Sequence, residues 1–202
     1  MIAIKKDNYI SYPEYINKDE LINKLNEIYS DKNYYISNDT ELIDDLTFIY
    51  QNYIGDISAY NILDIGCNIG TYCFLSYYNK AKYIEGIDLN SNFIDIANET
   101  KNILNINDNY INFINSDIFD IDFKNKKFDI ILYFNNIFQS SQFNNYKFNL
   151  NFYKMLHYLI KYNKYFIIGS CFKEQENYFD KFLTVKYDKF TYKNLILYQK
   201  RK

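Results

Sequence analysis

Short apolar runs alternate with helical patterns from Asn61 to the end of the chain. The runs are rich in Ile, Tyr and Phe and are bounded by Asn, Asp or Gly, as is typical of strands. In the segments between them, apolar residues recur every three or four positions, as is typical of helices. The predicted strands are 61–65, 82–87, 110–114, 128–134, 164–169, 182–187 and 194–199. The predicted helices are 71–79, 91–105 and 146–162.

This alternation predicts an α/β fold, a three-layer sandwich in which a seven-stranded, mostly parallel sheet carries helices on both faces. The last two predicted strands are joined by a tight turn at 188–191, which is too short for a crossover. We therefore expect the last strand to be antiparallel. Before the sheet, residues 18–29 and 40–53 show apolar positions at helical spacing. These segments predict an N-terminal helical cap, residues 1–55, followed by one compact domain, residues 56–202.

The segment 61–73, NILDIGCNIGTYC, places an apolar strand, two glycines and the start of a helix in succession. Glycines let the backbone approach a ligand closely, and a helix N-terminus offers unpaired N–H groups. The dinucleotide fingerprint G-x-G-x-x-G requires a second glycine where this chain has Asn68. A pyrophosphate needs that glycine for close approach, so a dinucleotide fits this turn poorly.

The spacing D-x-G-x-x-x-G, formed by Asp64, Gly66 and Gly70, resembles motif I of the class I S-adenosylmethionine (SAM) methyltransferases. This resemblance implies SAM as the cofactor and places Asp64, Gly66, Asn68 and Gly70 around it. SAM carries a cationic sulfonium, a cationic amine and no phosphate, so an acid in this turn suits its charge. The compact domain 56–202 is then expected to be a SAM-binding methyltransferase domain.

Acids follow the next two predicted strands, and ligands of open α/β sheets bind at the carboxyl ends of strands. Asp88 lies 22 residues after the first glycine of the motif, and the resemblance implies that it accepts hydrogen bonds from both ribose hydroxyls. Asp117 follows the third strand; by the same resemblance it accepts from the adenine amino group, with Ile118 packed against the ring. The remaining residues expected at the cofactor are Leu89 and Phe134, at the ends of the second and fourth strands.

The tip of the fourth strand, residues 135–138, carries none of the motifs of nucleic-acid amino-methylating, cytosine C5 or lysine methyltransferases. Carboxylates typical of metal-dependent O-methyltransferases are also missing after strands four and five, so no metal is expected. What remains resembles the small-molecule methyltransferases. The expected acceptor is an oxygen or nitrogen of a small polar metabolite, such as a sugar or nucleotide-linked sugar. Asn135 is placed to orient it, and residues 1–55 and 135–145 are expected to cover it.

The sequence does not identify a general base. His157, the only histidine, lies in the middle of a predicted crossover helix, away from the ligand edge, so a structural or surface role is expected. The other candidates are carboxylates and tyrosines near strand five and near the start of the chain. They are Glu174, Glu176, Tyr9, Tyr12, Glu14 and Tyr15.

The composition indicates which binding partners and which cellular compartment to expect. Of the 202 residues, 48% are apolar and 24% are charged, and the formal net charge is −2 with a single Arg. Nucleic-acid surfaces are usually basic and Arg-rich, so nucleic acid is not the expected partner. No apolar stretch is long enough to span a membrane, and three cysteines suit a reducing cytosol, so a cytoplasmic protein is expected. Cys67 and Cys73 are expected to be small core residues; the oligomeric state stays open.

Two alternatives compete with the small-molecule hypothesis. An RNA methyltransferase would need a basic face, but the available lysines fall mostly at the strand ends opposite the ligand edge. They are Lys80, Lys82, Lys124, Lys126 and Lys127. A catalytically silent SAM-binding subunit would be favoured by loss of the acid at position 88 or 117, and both acids are present.

Overall fold

The computed structural model describes residues 18–30, 40–134, 146–169 and 173–202. Within these ranges, helices and strands alternate around one seven-stranded sheet. The helices are α1 (Lys18–Ser30), α2 (Thr40–Ile49), α3 (Thr71–Tyr78), α4 (Ser91–Ile103), α5 (Tyr146–Tyr162) and α6 (Lys173–Leu183). The strands are β1 (Asn61–Ile65), β2 (Tyr83–Asp88), β3 (Ile111–Asn115), β4 (Ile130–Phe134), β5 (Tyr165–Gly169), β6 (Tyr187–Tyr192) and β7 (Leu195–Lys200).

The strand order is β3-β2-β1-β4-β5-β7-β6. Strands β1 to β5 pair in parallel, whereas β7 is antiparallel to both β5 and β6. The predicted α/β fold with an antiparallel last strand is therefore confirmed. The winding reverses between β1 and β4, and this switch point is where open α/β sheets bind ligands. We call the side formed by the carboxyl ends of β1 to β5 the carboxyl edge.

Each strand sends alternate side chains to opposite faces, and both faces are covered by helices. In β4, Ile130, Leu132 and Phe134 join the core on one face, which we call the first face, with α1 to α4. Ile131 and Tyr133 join the core on the second face, with α5 and α6. Strands buried on both sides are continuous apolar runs, which explains why β4 and β5 are predictable from the sequence.

The sixth predicted strand, 182–187, is wrong in its position. Those residues include the end of α6 and a turn, and β6 begins only at Tyr187. Helix α6 itself was not predicted; it buries Phe179 and Leu183, which are four residues apart and share a helix face. The β-favouring run around Val185 is misleading because that side chain is 71% exposed. The link between β6 and β7 is correspondingly shorter than predicted, only residues 193–194.

Helix α2 packs against the β6–β7 hairpin. The ring of Phe48 stacks on Tyr192 with centroids 4.1 Å apart, and the ring of Tyr53, just beyond α2, lies 6.0 Å from that of Phe190. Because the contacts run in opposite sequence directions, α2 is antiparallel to β6. Its N-terminal half therefore lies near the hairpin turn, beside the carboxyl edge.

An ion pair closes this contact at the turn, and we expect Lys193→Met to lower the free energy of unfolding. Lys193 Nζ lies 2.9 Å from Oδ1 of Asp45, a carboxylate that is 0% exposed. Removing the lysine leaves that buried acceptor without its charge partner, which is unfavourable. Urea unfolding measures it. The matched control is Lys181→Met, at an exposed lysine of α6; equal losses in the two variants would show that the pair contributes nothing.

Candidate functional site

The motif loop, residues 66–70, follows β1 at the carboxyl edge. Its backbone has positive φ angles at Gly66 (71°), Asn68 (52°) and Gly70 (85°). Asparagine tolerates the left-handed region better than other non-glycine residues, which explains why it can stand at the middle position. The N–H groups of Gly66 and Cys67 donate to the Ile87 carbonyl, over 2.8 and 3.0 Å. These bonds fasten the loop to the end of β2.

Gly70 is needed for packing as well as for its backbone angle. A Cβ at this position would lie 2.7 Å from Cζ of Phe113, a buried side chain of β3. The Gly70 N–H donates to the Cys67 carbonyl over 2.9 Å, and α3 begins at the next residue. The glycine therefore lets the loop close on itself and seats the helix start against the sheet.

Asp88, at the end of β2, connects to the motif loop directly. Its Oδ2 accepts from the Asn68 N–H over 2.9 Å, and its Oδ1 accepts from the Asn90 N–H over 2.8 Å. An ionised carboxylate has about four acceptor positions, so two remain for a ligand. This half-buried side chain lies at the carboxyl edge, so a ligand bound there can donate hydrogen bonds to the two remaining acceptor positions.

The end of β3 is tied to the end of β2. The Asn115 side-chain amide donates to the backbone carbonyls of Asp88, over 3.1 Å, and Leu89, over 2.9 Å. Asp117 is exposed and caps a short 3-10 helix by accepting from the Phe119 N–H over 2.9 Å. These contacts bring the predicted residues at positions 88, 89 and 117 to adjacent strand ends.

Two apolar side chains flank these acids. Leu89 is 72% exposed, an unusual state for a large apolar residue, and it offers a contact surface beside Asp88. Ile118 is 6% exposed and belongs to the second-face core. A flat apolar ring bound at this edge would cover Leu89 and remove its side chain from water.

Asp64 lies beneath the motif loop, only 1% exposed. Burial raises its pKa to about 7; a hydrogen bond from Cys73 lowers the pKa, and the charge of Asp88 raises it. Cys73 Sγ donates to Asp64 Oδ2 over 3.3 Å. A cation held close to Asp64 would restore its ionised form, since an opposite charge favours the carboxylate.

The contact of Cys73 with Asp64 was missed by the sequence analysis. Cys67 and Cys73 are both buried, as expected of core residues. A Cβ at Gly86 would lie 2.9 and 3.0 Å from their two sulfur atoms, so the thiols fill the space above that glycine. The available signal is that Cys73 lies in the first turn of the helix that follows the motif loop, close in sequence to Asp64.

The other predicted residues are placed less directly at the edge. Phe134 ends β4 but is 2% exposed, with its ring 4.5 Å from that of Tyr72. His157 is exposed on α5, as expected. Glu176 is paired with Lys189 over 2.8 Å. Asn135, Tyr9, Tyr12, Glu14 and Tyr15 lie outside the described residues, and so does the side chain of Glu174.

The described ranges contain neither a metal-binding cluster nor a membrane-spanning helix. No cluster of three or more His, Cys, Asp or Glu side chains there could hold a metal ion. None of the helices in those ranges combines the length and apolarity that crossing a membrane requires.

The residues present fit SAM. The exposed Leu89 offers a surface for adenine, Asp88 has unused acceptor positions for the ribose, and the buried Asp64 suits a nearby cationic amine. The left-handed turn between them would let such a ligand approach the backbone closely, as a glycine-rich loop does.

Comparison with solved structures shows the same fold. The PH0226 protein of Pyrococcus horikoshii OT3 has a TM-score of 0.60 at 16% identity, over 87% of this chain and 99% of its own. A ribosomal protein L11 methylase from Lactobacillus delbrueckii subsp. bulgaricus has a TM-score of 0.53 at 15% identity, over 81% and 80%. The 16S rRNA methylase RmtB has a TM-score of 0.59 at 14% identity, over 94% and 77%.

Sequence comparison gives the family. No curated protein sequence matches this chain. A family model described as a methyltransferase domain matches residues 56–200, which is well over half of the chain. The chain therefore belongs to the methyltransferase domain family and is a class I SAM-dependent methyltransferase.

Proposed function

We propose that the enzyme methylates an oxygen or nitrogen of a small polar metabolite, such as a sugar or nucleotide-linked sugar. The observation that carries this is the two-residue link between β6 and β7, residues 193–194. A link of two residues provides no additional segment at the carboxyl edge that could bind a macromolecule. The ion pair with Asp45 and the stacking of Tyr192 on Phe48 hold this short turn against α2.

The cofactor-binding roles follow from the groups at the edge. Asp88 accepts from the ribose hydroxyls, and Asp117 accepts from the adenine amino group. Leu89 and Ile118 contact the adenine ring, and the buried carboxylate of Asp64 balances the charge of the amine. The loop with Gly66, Asn68 and Gly70 lies under the rest of the molecule, and Phe134 supports the loop from the first-face core.

The acceptor is covered by residues 1–55 and 135–145. Support comes from α2, whose N-terminal half lies beside the carboxyl edge, next to the hairpin turn. Asn135 follows β4 directly in the sequence, and we assign it the role of orienting the acceptor. The helices α1 and α2 also bury Leu21, Leu25 and Leu46 in the first-face core. We therefore propose that the 1–55 segment is a cap, whose described helices share the core of the 56–202 domain.

The chemistry requires alignment above all. SAM, when bound, supplies a methyl group on a cationic sulfur that is already activated for transfer. The protein holds the acceptor atom in line with the bond to be broken, and proximity of this kind supplies on the order of 7–11 kcal/mol. If the acceptor is a hydroxyl, a general base adds about 10²–10⁴-fold. Among the described candidates, Glu176 is on the second-face helix α6 and is engaged by Lys189.

The lysines considered for RNA binding give little support to that alternative. Lys80 and Lys82 precede β2, and Lys126 and Lys127 precede β4, at the strand ends opposite the carboxyl edge. Lys126 is also paired with the buried Glu85. The structural likeness to an rRNA methylase shows the fold alone.

Incubation with methyl-labelled SAM tests the proposal. We expect label to transfer to the small molecules of an ultrafiltered cell extract, and mass spectrometry then identifies the product. Parallel incubations with total RNA and with protein serve as comparisons. Label found only in RNA or only in protein would overturn the small-molecule acceptor. Cofactor binding with no transfer to any fraction would indicate the silent subunit.

A further inference from the structure

Tyr29, the penultimate residue of α1, reaches the motif loop from outside the matched methyltransferase domain. Its hydroxyl donates to the Ile69 carbonyl over 3.0 Å, and the whole side chain is 0% exposed. Burial raises the pKa of this phenol, so it stays neutral and keeps the proton that it donates. Leu21, Leu25 and Tyr29 are spaced by four residues and lie on the same buried side of α1.

The carbonyl that Tyr29 holds is at the centre of the loop. Ile69 stands between Asn68 and Gly70, which both have positive φ angles. The peptide that joins Ile69 to Gly70 therefore accepts from Tyr29 at its oxygen and donates from Gly70 N to the Cys67 carbonyl. Both ends of this peptide are fixed, one by α1 and one by the loop itself. Two peptides earlier in the loop, the Asn68 N–H donates to Asp88.

We propose that Tyr29 is a positioning residue for cofactor binding, which fixes the motif loop through the Ile69 carbonyl. The proposal rests on the placement of SAM at residues 66–70. Without the hydroxyl, the buried Ile69 carbonyl loses this partner and the peptide is held only by the Gly70 N–H, so more of the loop must be ordered when the ligand binds. By the same linkage, SAM binding stabilises the packing of α1.

The chain supplies a matched control in Tyr50, which follows α2. It is also a buried tyrosine, 2% exposed, and its hydroxyl lies 2.8 Å from Ser76 Oγ, which belongs to α3 and not to the loop. Ser76 keeps its own bond to the Tyr72 carbonyl when Tyr50 is changed. Tyr29→Phe and Tyr50→Phe therefore remove the same atom from the same core, and only the first one touches the loop.

Calorimetry with SAM distinguishes the two variants at a temperature where both are folded. Tyr29→Phe is expected to raise the Kd for SAM about threefold to tenfold, as suits one lost hydrogen bond. Tyr50→Phe is expected to leave the Kd within about twofold, although both variants lower the melting temperature. Equal changes in the two Kd values, or none in Tyr29→Phe, would overturn the proposal.

Hydrogen exchange supplies a readout that does not depend on cofactor binding. In ligand-free protein, the Gly70 amide should exchange faster in Tyr29→Phe than in the wild type, and Tyr50→Phe should show no such change. In the wild type, SAM should slow exchange in α1. Failure of the wild type to bind SAM would contradict the placement of the cofactor, whereas unchanged Gly70 exchange in Tyr29→Phe would contradict the role of Tyr29.

Discussion

Asp88→Ala is expected to weaken SAM binding about a hundredfold or more. The Asp88 carboxylate already accepts two backbone N–H groups and has capacity for two further hydrogen bonds. Hydrogen bonds to a charged acceptor contribute about 1.5–3 kcal/mol each, and every 1.4 kcal/mol is about tenfold in affinity. Loss of two such bonds to the ribose therefore gives an effect of this size. The motif loop also loses the hydrogen bond from the Asn68 N–H to Asp88, which weakens SAM binding further.

Isothermal titration calorimetry with SAM measures this loss of affinity, and two further variants serve as comparisons. Asp117→Ala should lose about tenfold, because one such bond is removed and the apolar contacts of adenine remain. Asp88→Asn keeps the size of the side chain and one acceptor oxygen, so its affinity should lie between wild type and Asp88→Ala. A Kd for Asp88→Ala close to that of the wild type would place the ribose elsewhere.

Asp64→Asn is expected to stabilise the ligand-free protein at alkaline pH while weakening SAM binding. The folded pKa of about 7 exceeds the ordinary value of 3.8. Between roughly pH 4 and 7 the folded state therefore retains a proton that the unfolded state has lost. The free energy of unfolding falls as pH rises through this window, and the full cost persists above pH 7. A shift of this size corresponds to about 4 kcal/mol at most.

Urea unfolding of ligand-free protein at several pH values tests this. The variant should match the wild type near pH 4 and exceed it by up to about 4 kcal/mol at pH 8. Calorimetry with SAM should show the opposite order, with the wild type binding more tightly than the variant. The affinity of the wild type should rise as Asp64 ionises near pH 7, whereas the variant has no carboxylate to ionise. Identical pH profiles of stability in the two proteins would show that Asp64 titrates normally when folded.

The mostly parallel sheet with its antiparallel last strand and the three acids could be anticipated because each depends on local pattern. Strands β4 and β5 are buried on both faces and give continuous apolar runs. Asp64 stands near the end of the first predicted strand, and Asp88 and Asp117 follow the next two predicted strands, so their common edge follows from parallel pairing. Their roles at the cofactor stay predictions.

What could not be anticipated depends on tertiary contacts. Helix α6 buries only a few apolar residues, and the β-favouring letters around Val185 obscured its end. Tyr29 is one of 24 tyrosines, and nothing local distinguishes the one that meets the Ile69 carbonyl. The raised pKa of Asp64 likewise comes from the elements that close over it.

The short β6–β7 turn sets a condition on how this enzyme could acquire a new substrate in evolution. An insertion between Lys193 and Asn194 would be the simplest way to add an acceptor-binding arm. Any insertion that moved Lys193 would leave the Asp45 carboxylate buried without its partner. A neutral residue at position 45 would therefore have to come first. A change of substrate specificity at this turn therefore requires a first mutation in α2, which is far away in the sequence.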